Sequence, residues 1–248
     1  MKRLAGKIAL VVGGSRGIGA GIVRKLASEG ALVAFTYVNA ISTATALENE
    51  LLSDSKNVFA INADVAVSSQ MTTAISKTLD RYGPIDILVN NAGLFVAASI
   101  NDGDPDSPDL LRMWEVNVKG VVRTVSAVAR QMKPGGRIIT IGSGAAARTP
   151  FAGVAYYAAT KAALAAHTRG WARDLADRRI TVNIIQPGLI DTDLKPDNVD
   201  AINSLLQPVA LGRFGTPAEV ANMVAFPASD DASYVTGATI NVDGGWSA

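Results

Sequence analysis

Residues Lys7 to Val12 run almost wholly apolar into Gly13-Gly14-Ser15-Arg16-Gly17-Ile18-Gly19, and an amphipathic run through Ile22, Val23, Leu26 and Ala27 follows as far as Gly30. Few folds accept this order. A strand with no polar face has to be buried on both sides, as in a parallel sheet covered by helices. Glycines let the backbone come close to a ligand, and the helix starting there offers free N–H groups and partial positive charge to a phosphate. Strand, glycine-rich turn and helix therefore predict a nucleotide-phosphate site, with Gly13, Ser15, Gly17, Ile18 and Gly19 as its loop.

The same alternation continues. A strand from Leu32 to Tyr37 precedes a polar helix from about Ser42 to Leu52. A strand from Asn57 to Asn62 is closed by Ala63-Asp64-Val65, and a helix from Ser69 to Tyr82 leads to Ile85–Val89 and Asn90-Asn91-Ala92-Gly93. Leu94 to Pro108 reads as a surface loop ahead of a helix from Asp109 to about Gln131. Strands follow at Gly136–Ile141 and Thr181–Gln186, with an Ala-rich helix from Ala158 to Leu175 between them. No strand pair is joined by a hairpin turn, so the expected class is α/β: a single-domain Rossmann fold, its doubly wound seven-stranded parallel sheet carrying helices on both faces. Residues 1–248 are one domain on this reading. About 1–145 mainly bind a dinucleotide, about 143–208 carry catalysis and a substrate lid, and 209–248 add a last helix and strand. Thr216 is placed to cap that helix, with Pro217 in its first turn.

Cofactor choice has its own signal. The second strand ends at Tyr37, with Asn39 just beyond, where an acidic residue would bind the ribose 2′-hydroxyl of NAD. Arg16, in the glycine loop, can instead pair with a 2′-phosphate. Both features point to NADP(H).

Composition narrows the rest. Lys plus Arg number 23 against 22 Asp plus Glu, with no basic run, which argues against nucleic acid as a partner and favours self-association. Absence of Cys excludes disulfides and thiol catalysis, and a single His, His167, excludes a His-rich metal site. His167 lies inside the Ala-rich helix, where a surface or interface role is expected. No apolar stretch approaches membrane-spanning length, so a soluble cytoplasmic protein without a metal is expected.

The strongest catalytic pattern is Tyr157-Ala158-Ala159-Thr160-Lys161. A spacing of four puts Tyr157 and Lys161 on one helix face. An ammonium there favours phenolate, so the tyrosine pKa is expected to fall towards neutrality, suiting proton exchange with a substrate oxygen. Tyr156 lacks such a partner because position 160 is Thr. Ser143 follows a buried strand, fourteen residues before Tyr157.

Gly13-xxx-Gly17-x-Gly19, Asp64, Asn90-Asn91-Ala92-Gly93 and Tyr157-xxx-Lys161 together resemble, in order and spacing over essentially the whole chain, the signature set of the classical short-chain dehydrogenases/reductases, in their 3-oxoacyl- and carbonyl-reductase-like branch. The resemblance implies that Asp64 and Val65 hold the adenine and that Asn91, Ala92 and Gly93 line the cofactor cleft. It implies that Asn117 helps hold a water in a proton relay to the lysine. Pro187 and Gly188, with Ile190 and Thr192, would hold the nicotinamide carboxamide. Ser143 would hold a carbonyl oxygen, Tyr157 protonate it, and Lys161 stabilise the phenolate and bind the nicotinamide ribose. The expected activity is NADPH-dependent reduction of a ketone or 3-oxoacyl group, in a homotetramer or dimer, with Asp193–Pro208 as the lid. An NAD-linked alcohol dehydrogenase and a nucleotide-binding regulator on the same fold are the competing readings. Two departures stand out: Val12 replaces the usual Thr and so removes a loop hydrogen bond, and Pro227 should shorten or kink the last helix.

Overall fold

Five consecutive apolar residues leave β1 (Ile8–Val12) without a wet face, and all five are buried. The computed structural model, which describes residues 2–101, 103–193 and 195–248, places β1 near the middle of one sheet. Its other strands are β2 (Leu32–Tyr37), β3 (Val58–Asn62), β4 (Ile87–Asn90), β5 (Arg137–Ile141), β6 (Thr181–Pro187) and β7 (Thr239–Val242). The order is β3-β2-β1-β4-β5-β6-β7, with every neighbouring pair parallel.

Side chains alternate across the sheet, so each strand feeds two cores. Ala9 and Val11 point to the face covered by α1 (Gly17–Ser28), α2 (Ile41–Ser53) and α8 (Pro217–Ala228). Leu10 and Val12 point to the face covered by α3 (Ser68–Tyr82), α5 (Val121–Gln131) and α6 (Ala155–Asp174). Phe35, fully buried on the first face, contributes about 1.5–3 kcal/mol by leaving water. The layers approach closely where glycine permits: a Cβ on Gly14 would sit 2.6 Å from that of Phe35, and one on Gly21 would sit 3.0 Å from the Pro217 carbonyl oxygen. Thr216 and Glu219 form a reciprocal capping box at the start of α8.

Several boundaries differ from the sequence expectation. Strand β4 starts at Ile87, two residues later than expected; Asp86 before it still bonds through its backbone to Ile8 O and Arg137 N, and its carboxylate accepts from Ile8 N at 2.9 Å. The helix expected from Asp109 to Gln131 is three pieces: α4 (Pro108–Trp114), a π-helical turn at Glu115–Gly120, and α5. At the close of the π turn, a Cβ on Gly120 would sit 2.6 Å from the Val65 carbonyl oxygen, so the wider turn runs hard against β3's exit loop. Helix α6 begins three residues early, placing Tyr157 in its first turn. The polar segment expected to act as a lid contains α7 (Val199–Leu206), capped by Asn198, whose side chain accepts from Asp200 N and Ala201 N. Pro227 falls in the last turn of α8, which ends one residue later. No helix among the described residues is long and apolar enough to cross a membrane.

Candidate active site

In a parallel sheet all strands end on the same edge, and the strand order reverses between β1 and β4. A crevice opens outside that point. The glycine loop forms its first wall. Gly13 and Gly17 have φ of 78° and 51°, which side-chain-bearing residues rarely adopt. A Cβ on Gly19 would overlap the Gly13 carbonyl oxygen and lie 2.6 Å from Asn91 Nδ2. The Asn91 amide itself donates to Gly13 O at 2.6 Å, locking the NNAG turn to the loop. Helix α1 has no side-chain cap and no acid in its first turn. Its leading N–H groups are thus left without a side-chain acceptor from the helix's own first turn, as a pyrophosphate cradle requires.

The hydrogen bond expected to vanish with Val12 is supplied from the neighbouring strand: Thr36 Oγ1 accepts from Gly13 N at 3.0 Å. Arg16, exposed, pairs with Asp193 of the lid at 3.3 Å. Tyr37 ends β2 half-buried, and Asn39 beyond it is exposed. Asp64 accepts from Ala66 N at 2.9 Å and pairs with Arg112 of α4, while Val65 is buried beside it. That arginine was not singled out from sequence, because nothing local to it announces a partner on β3.

The opposite wall carries the side chains expected to act on a substrate. One cavity of about 410 Å³ is lined by Ile18, Asn91 and Gly93 from the first half and by Ser143, Tyr157, Lys161, Pro187, Gly188, Ile190 and Thr192 from the second. The two halves meet at Gly17, where a Cβ would lie 3.3 Å from Thr192 Cγ2. Arg16, Tyr37, Asn39, Asp64 and Val65 lie outside this cavity, along the rest of the strand edge, and Asn117 stands behind it. A second cavity, of about 350 Å³, opens by Arg213 and Glu219 and shares Ile190 with the first, but Ser143, Tyr157 and Lys161 do not line it.

Lys161 is almost fully buried and donates to Ile141 O at 3.1 Å. Burial pushes its pKa down to about 8. Its Nζ lies 5.7 Å from the Tyr157 ring centroid. Contrary to the sequence expectation, the Tyr157 hydroxyl is held above its ordinary value, because burial outweighs the opposing hydrogen bond with Ser143. Desolvation dominates because the lysine is turned to a backbone carbonyl. Ser143 Oγ accepts from Ala145 N at 3.2 Å, which fixes the serine at the mouth of the loop.

Asn117 is completely buried in the π turn. Its Oδ1 accepts from Leu94 N at 2.7 Å, and its Nδ2 donates to Leu94 O at 2.9 Å and to Thr160 Oγ1 at 3.0 Å. Thr160 in turn donates to Tyr157 O at 2.7 Å. The amide thus ties the loop after Gly93 to the helix that carries Tyr157 and Lys161. Thr160 was legible only as the residue that denies Tyr156 a lysine.

A doubly wound parallel sheet with a phosphate cradle at its switch point, facing a Ser-Tyr-Lys cavity, defines a dinucleotide-dependent oxidoreductase. The sequence profile of the family described as enoyl-(acyl carrier protein) reductase matches residues 12–247. The cyclic-di-GMP-binding biofilm dispersal mediator protein of Escherichia coli K12 is 42% identical over 248 residues, covering 100% of both chains. A short-chain dehydrogenase/reductase structure from Serratia marcescens superposes with a TM-score of 0.96 at 47% identity, covering 99% of this chain and 100% of that one. A blue fluorescent protein from a metagenomic library, solved with NADPH, gives 0.94 at 46% identity and the same coverage. The chain belongs to the short-chain dehydrogenase/reductase family.

Proposed function

We propose that this protein is an NADPH-dependent carbonyl reductase acting on a ketone or 3-oxoacyl group. The observation that carries the reading is the convergence of Ser143, Tyr157 and Lys161 with both walls of the dinucleotide crevice on one cavity. NADPH, when bound, supplies the hydride. Gly13, Ser15, Gly17, Ile18 and Gly19 would hold its pyrophosphate against α1. Arg16 would take the 2′-phosphate, with Tyr37 and Asn39 leaving the place free of negative charge. Asp64 and Val65 would seat the adenine, Asn91, Ala92 and Gly93 the inner cleft, and Pro187, Gly188, Ile190 and Thr192 the carboxamide. The relative solved with NADPH supports this choice.

Ser143 holds the carbonyl oxygen and Tyr157 gives it a proton as negative charge develops. Lys161 stabilises the phenolate that remains and binds the nicotinamide ribose, while Asn117 serves the relay that restores the proton. Burial keeps Tyr157 in the phenol form, the form an acid catalyst needs for carbonyl reduction. We assign the enzyme to the cytoplasm as a homotetramer, with Ala162 and Ala166 of α6, exposed on the protomer, at the contact.

Tyr157→Phe tests the reading. General-acid catalysis contributes about 10²–10⁴-fold, so ketone-dependent NADPH oxidation should fall at least a hundredfold with NADPH binding retained. Activity surviving within about tenfold would remove Tyr157 as the proton donor. The name of the Escherichia coli relative motivates a second reading, a nucleotide-responsive regulator. That reading predicts no carbonyl turnover by the unmodified protein.

A further inference from the structure

The substrate side of the cavity has an unusual wall. Three of the chain's six phenylalanines, Phe95, Phe151 and Phe214, line it together with Trp246 and Tyr157 itself. Phe95 is half exposed, and its ring meets that of Tyr157 edge to face, with centroids 5.0 Å apart and planes at 75°. Trp246 is 5% exposed and packs under the loop that carries Ser143: a Cβ on Gly144 would lie 2.9 Å from its Cε3. Arg148, on the same loop, donates to Trp246 O at 2.5 Å and holds the tail in place. One aromatic side chain therefore flanks the proton donor and another underlies the oxygen-holding serine. Both belong to the lining that a group bonded to the carbonyl carbon would face.

Charge is provided for elsewhere. Among the described lining residues the cations are Lys161 and Lys195. Lys161 is engaged by Ile141 O. Lys195 is paired with Asp191 at 3.0 Å, its ammonium 5.3 Å from the Phe214 ring centroid. A substrate with a carboxylate or phosphate would have to displace Asp191 to be paired, whereas a neutral aromatic ring finds edge and face partners already built.

We propose that the preferred substrate is an uncharged aryl ketone, its ring received between Phe95 and Trp246, an inference that rests on the carbonyl-reductase reading above. The reduction forms a C–H bond at the benzylic carbon from the hydride. The π pair moves to the oxygen, which takes the Tyr157 proton, NADPH becomes NADP⁺, and solvent reprotonates the tyrosine. Phe95 and Trp246 act as specificity-determining residues.

The test compares acetophenone with cyclohexyl methyl ketone, of the same carbon count without the aromatic ring, and with an acetoacetyl thioester. The expected result is a kcat/KM for acetophenone at least tenfold above both. Calorimetry with NADP⁺ present should give a dead-end acetophenone complex at least tenfold tighter than that of the cyclohexyl ketone. Phe95→Leu, whose folding is checked by circular dichroism, should reduce the aryl preference to within about threefold, and Trp246→Leu should act in the same direction. Equal turnover of the two ketones, or a thioester preferred over acetophenone, overturns the proposal and leaves the carbonyl-reductase reading standing. No turnover of any of the three by protein that binds NADPH overturns both.

Discussion

Lys161 controls the pH response. Its burial brings the pKa down to about 8, so the ammonium is present below that pH and is lost as pH rises through it. In the proposed mechanism that charge stabilises the phenolate formed during reduction. The single-turnover rate of carbonyl reduction should therefore be flat below about pH 8 and fall about tenfold per unit above it, and a rate constant unchanged to pH 9.5 would take Lys161 out of the chemistry. The Tyr157–Lys161 pairing was legible in the sequence because four residues of helix bring the groups together. The direction of the tyrosine shift was not, because it depends on how much protein covers the hydroxyl and where the lysine turns. The partners of Asp64 and Gly13 were hidden for a similar reason: Arg112 and Thr36 lie 48 and 23 residues away.

Elements were legible where one period runs uninterrupted. The strand, glycine turn and helix at the start of the chain lie as expected because apolar run, positive-φ glycines and amphipathic helix are all local signals. The π turn was not, since the bulge inside a helix leaves no mark in an apolar pattern read at 3.6 residues per turn. Helix α7 carried a faint signal in Val199, Ile202 and Leu206, masked by the polar residues before it. The glycine turn yields the test at this scale. A methyl group at Gly19 meets the Gly13 carbonyl and the Asn91 amide, both fixed to each other. Gly19→Ala should weaken NADPH binding at least a hundredfold in a fluorescence titration. Overpacking of this kind costs about 1–3 kcal/mol, so Tm should also fall by several degrees.

The whole molecule has a second pole, at the end of the sheet away from the site. Arg137, at the start of β5 and 6% exposed, donates to the carbonyls of Gly135, Gly136 and Ser229 and pairs with Asp230 at 3.0 Å. It fastens the centre of the sheet to the turn that follows α8. Arg137→Met keeps the buried stem and removes every donor. Gly136 O keeps the backbone N–H of Thr181, but the buried Ser229 carbonyl loses its donor; an unpaired buried carbonyl costs about 1–3 kcal/mol, and Tm should drop by about 2–4 °C per kcal/mol, read by thermal denaturation. A Tm within 1 °C of the parent would mean that the Ser229 carbonyl finds another donor. This arginine had no sequence signal beyond an out-of-place charge at the head of an apolar strand.

The hydroxyl that Thr36 lends to the glycine loop has a consequence for which sequences can replace this one. Val12 has no hydroxyl to offer, and the donor N–H of the first glycine is met from the next strand instead. The loop therefore depends on the side chain at position 36 of β2, which an engineer exchanging strands between relatives has to keep. A chimera that imports an apolar residue at position 36 while keeping Val12 would carry every recognised motif of the family and still lack the bond that holds its first glycine.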